Sequence, residues 1–333
     1  MSRCTSRAIR NAAVALATSA VLVVPVGCKA ITNGSAAKSP NAGGDLSSIL
    51  FVNPLPNYSQ WKLIGKCMGE EAQKKGVKFS QVGPSGSSVD ANYMISRYQQ
   101  GIANGEGAIA TFPLSADQFS PLIEQAKKKG ILTATLFGGG STSDQDVEIG
   151  TDYATSATQA VEFISKYAGD AQVKVGLIVG AATPPPKVWS DAFIAAAGET
   201  TNVKVVDTGI DNGDPTKDVD LAVNMLTAHP EINMFATNEG AASAGISAAI
   251  KQKGLVGKVH FVGNGADESG VKALEDGTAA SVLMQDLCGA GEATTDALIG
   301  LHKGDTVKPK IDVDIVYATK DNYKKYLDGG QYL

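Results

Sequence analysis

The sequence predicts an α/β protein of two doubly wound, Rossmann-like domains, each a parallel sheet covered by helices on both faces. Three observations predict it. Short apolar runs alternate with amphipathic stretches at helical spacing, and the alternation restarts after Gly150. About 285 residues follow the N-terminal region, more than one hydrophobic core comfortably serves. Successive βα units need crossovers, and crossovers lay helices over parallel strands.

The elements follow in order. Ser48–Asn53 reads as a short buried strand, followed by a helical stretch over Tyr58–Lys75 that Gly76 closes, and Val77–Val82 is the second strand. The next helix gathers Ala91, Met94, Ile95, Tyr98 and Ile102 on one face, the spacing that 3.6 residues per turn produces. Residues 107–112 form the third strand. The helix after it turns Phe119, Leu122, Ile123 and Ala126 inward and stops at Lys127-Lys-Lys-Gly130. Ile131–Phe137 is the fourth strand. In the second half a helix over 154–168 buries Ala157, Ala160, Val161 and Ile164, and strands follow at 173–179, 203–210, 232–236 and 260–262.

Residues 1–27 read as a secretory signal. Arg3, Arg7 and Arg10 precede an uncharged stretch, Ala12–Val24, of about 13 residues, too short for the about 20 that a spanning helix needs. Val26-Gly27-Cys28 resembles the end of a bacterial lipoprotein signal, in which Cys28 is lipidated and becomes the mature N-terminus; Pro25 stands where that signal usually has Leu. Residues 28–46, rich in Ala, Gly, Ser and Asn, bury too little apolar surface to offset ordering entropy and are expected to form a flexible tether.

Without the three signal arginines, 26 basic side chains face 34 acidic ones, a formal charge of −8. With no basic run in the chain, nucleic acid is not an expected partner. Enzymatic signatures are scarce. His229, His260 and His302 lie apart, without Cys or carboxylate partners at metal spacing. Gly263-Asn-Gly265 follows a strand, but Glu268 replaces the third glycine of a dinucleotide fingerprint, and there is no Walker loop. No catalytic residue, metal or cofactor is therefore expected.

In open α/β sheets, ligands settle in the crevice beyond the carboxyl ends of the strands. There the sequence places Asn57, Tyr58 and Trp61 after the first strand, Phe112 and Pro113 after the third, and Phe137 at the end of the fourth. The second half contributes Lys187, Trp189, Asn238, Asn264, Asp267 and Gln285. Trp189 follows Pro184-Pro-Pro186 and reads as a loop residue. Five of these are aromatic in a chain with only 6% aromatic residues, so the edge is enriched beyond chance.

Several motifs in order and spacing carry a resemblance. They are Trp61-Lys-Leu-Ile-Gly-Lys-Cys-Met-Gly-Glu-Glu-Ala72, Gly150-Thr-Asp-Tyr153, Phe235-Ala-Thr-Asn238, Val262-Gly263 and Val282-Leu-Met-Gln285. From about residue 48 to 333 the chain resembles the periplasmic sugar-binding proteins of the ribose-binding type, the type I solute-binding components of ATP-driven importers. Ala318-Thr-Lys-Asp-Asn-Tyr323 is similar to the branch that includes rhamnose and autoinducer-2 binders.

The resemblance implies a three-strand hinge near Thr151–Tyr153, Gln285–Asp286 and Lys310–Val313. It also implies an N-terminal lobe of 47–151 plus 286–311 and a C-terminal lobe of 152–285 plus 312–333. Cys67 and Cys288 then fall on two helices of one lobe, which leaves both a disulfide and two free thiols open. The implied partners are a small-molecule ligand, an ABC permease and ATPase complex, and a membrane reached through the lipid anchor. The binder itself would be an exported monomer and not an enzyme. A sensory module that presents its ligand to a membrane receptor would carry the same sequence features; a repressor of the lac type would need a DNA-binding headpiece in place of the signal and tether.

The departures bear on the ligand. Where the family places an Asp–Arg pair after the fourth strand, this chain has Phe137 and Gly138. Phe112 stands for an Asn, Trp189 for an Arg and Gly265 for an acidic residue, while Trp61, Asn238 and Gln285 match. A ligand less polar than an aldopyranose, or one with a flat or cationic face, is the expectation. Deoxy sugars, small polyol derivatives, aromatic compounds and quaternary amines are of that kind.

Overall fold

The computed structural model describes residues 46–333 apart from 87, 139–141 and 266–267. The signal, the tether, Cys28 and Asp267 lie outside the described residues.

The first half contains β1 (Ser48–Val52), α1 (Ser59–Lys74), β2 (Lys78–Val82), α2 (Ala91–Asn104), β3 (Ala108–Thr111), α3 (Ala116–Lys128), β4 (Leu132–Leu136) and β5 (Val147–Gly150). The second half begins with α4 (Tyr153–Ala168), β6 (Val173–Val179), α5 (Pro186–Glu199), β7 (Val203–Ile210) and α6 (Asp218–Ala228). It continues with β8 (Met234–Thr237), α7 (Ala242–Gln252), β9 (His260–Asn264), α8 (Glu268–Asp276) and β10 (Ala279–Gln285). The chain closes with α9 (Leu287–Lys303), β11 (Lys310–Asp312), β12 (Ile315–Ala318) and α10 (Tyr323–Leu327).

Two six-stranded sheets result, in the orders β11-β5-β4-β3-β1-β2 and β12-β10-β9-β8-β6-β7. Every pairing in the first sheet is parallel, and β3, β4 and β5 are buried along their length, which is why they read as apolar runs. Phe119, Leu122, Ile123 and Ala126 of α3 are buried against this sheet, and α2 starts where Asp90 accepts from Tyr93 N and stops at Gly105, whose φ of 71° suits a residue without Cβ. In the second sheet β12 runs antiparallel to β10, a departure from the all-parallel expectation. It arises because β12 re-enters the sheet directly from the neighbouring lobe, without a crossover helix. The strand β10, Ala279-Ala-Ser-Val-Leu-Met-Gln285, lacks the β-branched and aromatic enrichment that marks a strand, so its burial rather than its composition defines it.

The helix α9 follows a strand of the second sheet, yet its Leu287, Ala290, Ala297, Leu298 and Ile299 join the core that contains Ile49, Phe51, Ile64 and Met68. It packs closely on α1: a Cβ added at Gly291 would lie 2.6 Å from the Ile64 carbonyl oxygen. Cys67 of α1 and Cys288 of α9 form a disulfide with a Cα–Cα distance of 5.2 Å.

The chain thus passes between the two sheets after β5, after β10 and after β11. Bonds join the three crossings: Val313 N donates to Gly150 O at 2.9 Å, Asp286 N to Asp314 O at 2.9 Å, and Gln285 Nε2 to Thr151 Oγ1 at 2.5 Å. The C-terminus straps them, since Gln285 and Leu333 exchange two backbone bonds at 3.1 Å. Asp152, the N-cap of α4, accepts from Thr155 N at 2.7 Å and pairs with Lys310 at 2.8 Å. Lys310 holds its carboxyl down, to a pKa of about 2.

Candidate functional site

A cavity of about 420 Å³ lies between the carboxyl ends of the two sheets, at the level of the crossings. A wider depression of about 640 Å³ occurs at the opposite end of the first sheet, around Leu46, Ile102, Lys129 and His302, but it is walled by one lobe only. The cavity between the sheets draws on both.

From the first lobe come Tyr58, Gln60, Trp61 and Ile64 at the start of α1, Phe112 after β3, Phe137 after β4, and Leu287. The Trp61 ring centroid lies 5.5 Å from Phe112 and 5.9 Å from Phe137, the latter edge-on at 90°. Phe137 has φ 54°, a backbone position that costs a non-glycine residue of order 1–3 kcal/mol. Its surroundings impose that shape: Phe137 N donates to Ile149 O at 2.7 Å, and a Cβ at Gly150 would lie 3.0 Å from Phe137 Cα. Tyr153 of the second lobe donates its phenol to the Phe137 carbonyl at 3.3 Å, so a hydrogen bond links the lobes beside the cavity. Burial holds the Tyr153 phenol above the usual tyrosine range.

From the second lobe come Tyr153 and Ser156 of α4, Pro185, Pro186 and Trp189, the segment from Asn238 to Ala241, Asn264, and Leu283 and Gln285 of β10. Asn264 Nδ2 donates to Asn238 O at 2.7 Å and ties two strand-end loops together. The Oδ1 atoms of Asn238 and Asn264 are buried without a partner among the described residues. Glu239 folds its carboxyl over Gly180, where a Cβ would come within 2.3 Å of Oε1. Burial, and then the charge of Asp211, pushes its pKa up to about 7. The two lobes approach closely here: a Cβ on Gly240 would lie 3.3 Å from Tyr58 Oη, and one on Gly265 would lie 2.7 Å from Gln60 Nε2.

Tyr58, Trp61, Phe112, Phe137, Trp189, Asn238, Asn264 and Gln285 therefore meet at one cavity. Asn57, Pro113 and Lys187 do not line it. Asn57 turns away and donates to Ser85 O at 3.1 Å, because it precedes the first turn of α1 and faces the loop after β2. Lys187 sits two residues before Trp189 on α5, where i and i+2 point apart; it is exposed and pairs with Asp191 at 2.5 Å. Trp189 itself is helical rather than in a loop, 2% exposed, and packs on Phe193 at a centroid distance of 5.1 Å, so it belongs to the core as well as to the cavity wall. Pro186 at the first helical position was the signal for that helix.

Sequence reasoning did not single out Gln60, Thr151, Ser156 or Glu239 as lining residues; Thr151 and Tyr153 stand in the Gly150–Tyr153 motif, and Glu239 adjoins Asn238. Among the described residues no cluster of three or more His, Cys, Asp or Glu side chains could hold a metal ion, and no helix is long and apolar enough to cross a membrane.

The model of the family described as periplasmic binding protein domain matches residues 49–306. The chain belongs to this family. Among periplasmic binding proteins it is 28% identical to the ribose import binding protein RbsB of Salmonella typhimurium, over 62% of this chain and 70% of the relative. It is 23% identical to the D-xylose-binding periplasmic protein of Escherichia coli, over 79% of each. Its fold is that of GanP, a glucose-galactose binding protein from Geobacillus stearothermophilus: the TM-score is 0.77 at 18% identity, covering 84% of this chain and 99% of GanP.

Proposed function

We propose that this protein is the extracytoplasmic solute-binding lipoprotein of an ATP-driven importer, anchored through Cys28, and that its cavity captures one small sugar-like or less polar molecule. The observation that carries the reading is the cavity between the sheets, walled by side chains of both lobes, which approach each other closely at Tyr58–Gly240 and Gln60–Gly265. The likeness to the ribose import binding protein supports the transport role and a binder rather than an enzyme.

In mechanism, residues 47–151 with 286–311 move as one lobe, and 152–285 with 312–333 as the other, about the three crossings. The open form exposes a wet cleft. A solute settles on the rings of Trp61, Phe112 and Phe137, and the Asn238–Ala241 segment and Asn264 of the other lobe come over it. A ligand shifts such an equilibrium only by its differential affinity for the two states, so contacts to both lobes at once make the solute the latch. The closed surface is then what a permease recognises. Gln285 touches the cavity and a second crossing together, and so couples occupancy to the hinge.

Thermal-shift screening of the protein against sugars, polyols, aromatic compounds and amines tests the reading. A specific solute raises Tm with concentration, by about 2.7 kcal/mol of added stability at one hundred times Kd. A flat response across all four classes would sink it.

A further inference from the structure

We infer that the solute carries a protonated amine, placed against the Glu239 carboxylate, with its carbon frame against the rings of Trp61, Phe112 and Phe137. The inference rests on the solute-binding reading above and deepens it. It stands on the charge and shape of the cavity wall.

Among the described lining residues, Glu239 is the one acid and there is no Lys, Arg or His. The Glu239 carboxylate has no hydrogen-bond or ion-pair partner among the described residues; the one bond it makes is through its backbone N, to Thr237 Oγ1 at 2.9 Å. The groups facing it are Asp211 after β7, Asp218 on α6 and the Tyr153 phenol on α4, none of them positive. Lys217 donates to the Asp211 carbonyl at 3.1 Å and pairs with Asp214 at 3.5 Å. Gly180 fixes the place of the carboxylate by leaving it room that a Cβ would fill.

A half-buried carboxylate without a counter-ion, on a wall of like charge, is costly unless a cation arrives with the ligand. The opposite wall, formed by Trp61, Phe112 and Phe137, offers apolar ring surface to the carbon frame of such a guest. A neutral polyhydroxylic solute would satisfy neither feature.

Two consequences separate the amine from a hydroxyl. The Glu239 carboxyl, held near 7 in the free protein, ionises when an ammonium group is seated beside it. Binding below pH 7 then releases a proton, and affinity rises with pH through about 7 before levelling off.

The test uses the emission of the two tryptophans, Trp61 and Trp189, the only ones in the chain, both on the cavity wall. The intact protein is titrated with matched pairs: glucosamine and glucose, choline and 3,3-dimethylbutanol, phenethylamine and phenethyl alcohol. The titrations are run at pH 5.5 and 8 on the wild type and on Glu239→Gln. The expected result is that the best solute is an amine, at least tenfold tighter than its hydroxyl counterpart, tighter at pH 8 than at 5.5. Glu239→Gln should erase both differences while its circular dichroism and ligand-free Tm show a folded protein. A neutral member binding as well or better, with Glu239→Gln unchanged in affinity, overturns the inference and leaves solute capture standing. No response to any member, in emission or in the thermal-shift screen, overturns both.

Discussion

The Gln285 side-chain amide donates to Thr151 Oγ1 at 2.5 Å, joining two crossings that lie 134 residues apart in sequence. Both residues also line the cavity, so one hydrogen bond belongs to the hinge and to the site. Gln285→Ala removes it and should lower stability by about 0.5–1.5 kcal/mol, since Thr151 is buried and loses its partner. It should weaken solute affinity by about tenfold, beyond the stability loss, because closure and contact are both affected. Urea unfolding together with a solute titration of the same variant separates the two effects.

The disulfide gives a second expectation. Cys67 and Cys288 are separated by 221 residues, and closing a chain segment of that length removes much unfolded-state entropy. Cys67→Ser with Cys288→Ser should cost about 2–5 kcal/mol. Peptide mapping after alkylation without reduction should find neither residue modified in the wild type. At the same contact, Gly291→Val should destabilise by about 1–3 kcal/mol or more, because the new Cβ meets the backbone of Ile64 and Met68.

Acid and base should act on different groups. Asp218 is fully buried, both its carboxylate oxygens lack a partner among the described residues, and burial followed by Asp211 raises its pKa to about 7. A folded-state pKa above the unfolded one means stability that is complete below about 3.9 and is lost as pH rises through about 7. Asp218→Asn should reduce that loss, narrowing the gap between the urea midpoints at pH 5 and pH 8; the remainder belongs to Glu239, whose pKa is likewise raised to about 7.

Asp152 works in the opposite sense. Its pKa is depressed to about 2 by Lys310 and by the Thr155 amide, so the stability it supplies is present above about 3.9 and disappears as pH falls through about 2. Asp152→Ala loses the N-cap of α4 as well and should cost about 1 kcal/mol at neutral pH. Stability curves of the variant and wild type should converge in strong acid.

Much of this architecture is written in the sequence because burial and periodicity coincide. The inward residues of α3 and α4 are legible at helical spacing, and the aromatic wall of Trp61, Phe112 and Phe137 is legible from strand ends alone. What position along the chain does not encode is side-chain direction. Asn57 and Lys187 stand at the right end of the sheets and point elsewhere. Glu239 carries no local pattern; its meaning comes from Gly180, Asp211 and Asp218, which reach it from other strands and helices. The antiparallel β12 is likewise a product of where the chain re-enters the second sheet, which local propensity cannot report.

The central claim is that one solute touches both lobes at once. The measurement that tests it most directly is the Kd of the same solute, the best from the thermal-shift screen, for Trp61→Leu on the first lobe and Asn264→Ala on the second, in variants whose ligand-free unfolding remains cooperative. The expected result is a loss of about tenfold or more in each. A solute that binds tightly to one variant as it does to the wild type, while the other loses affinity, would place it on a single lobe and contradict capture by closure.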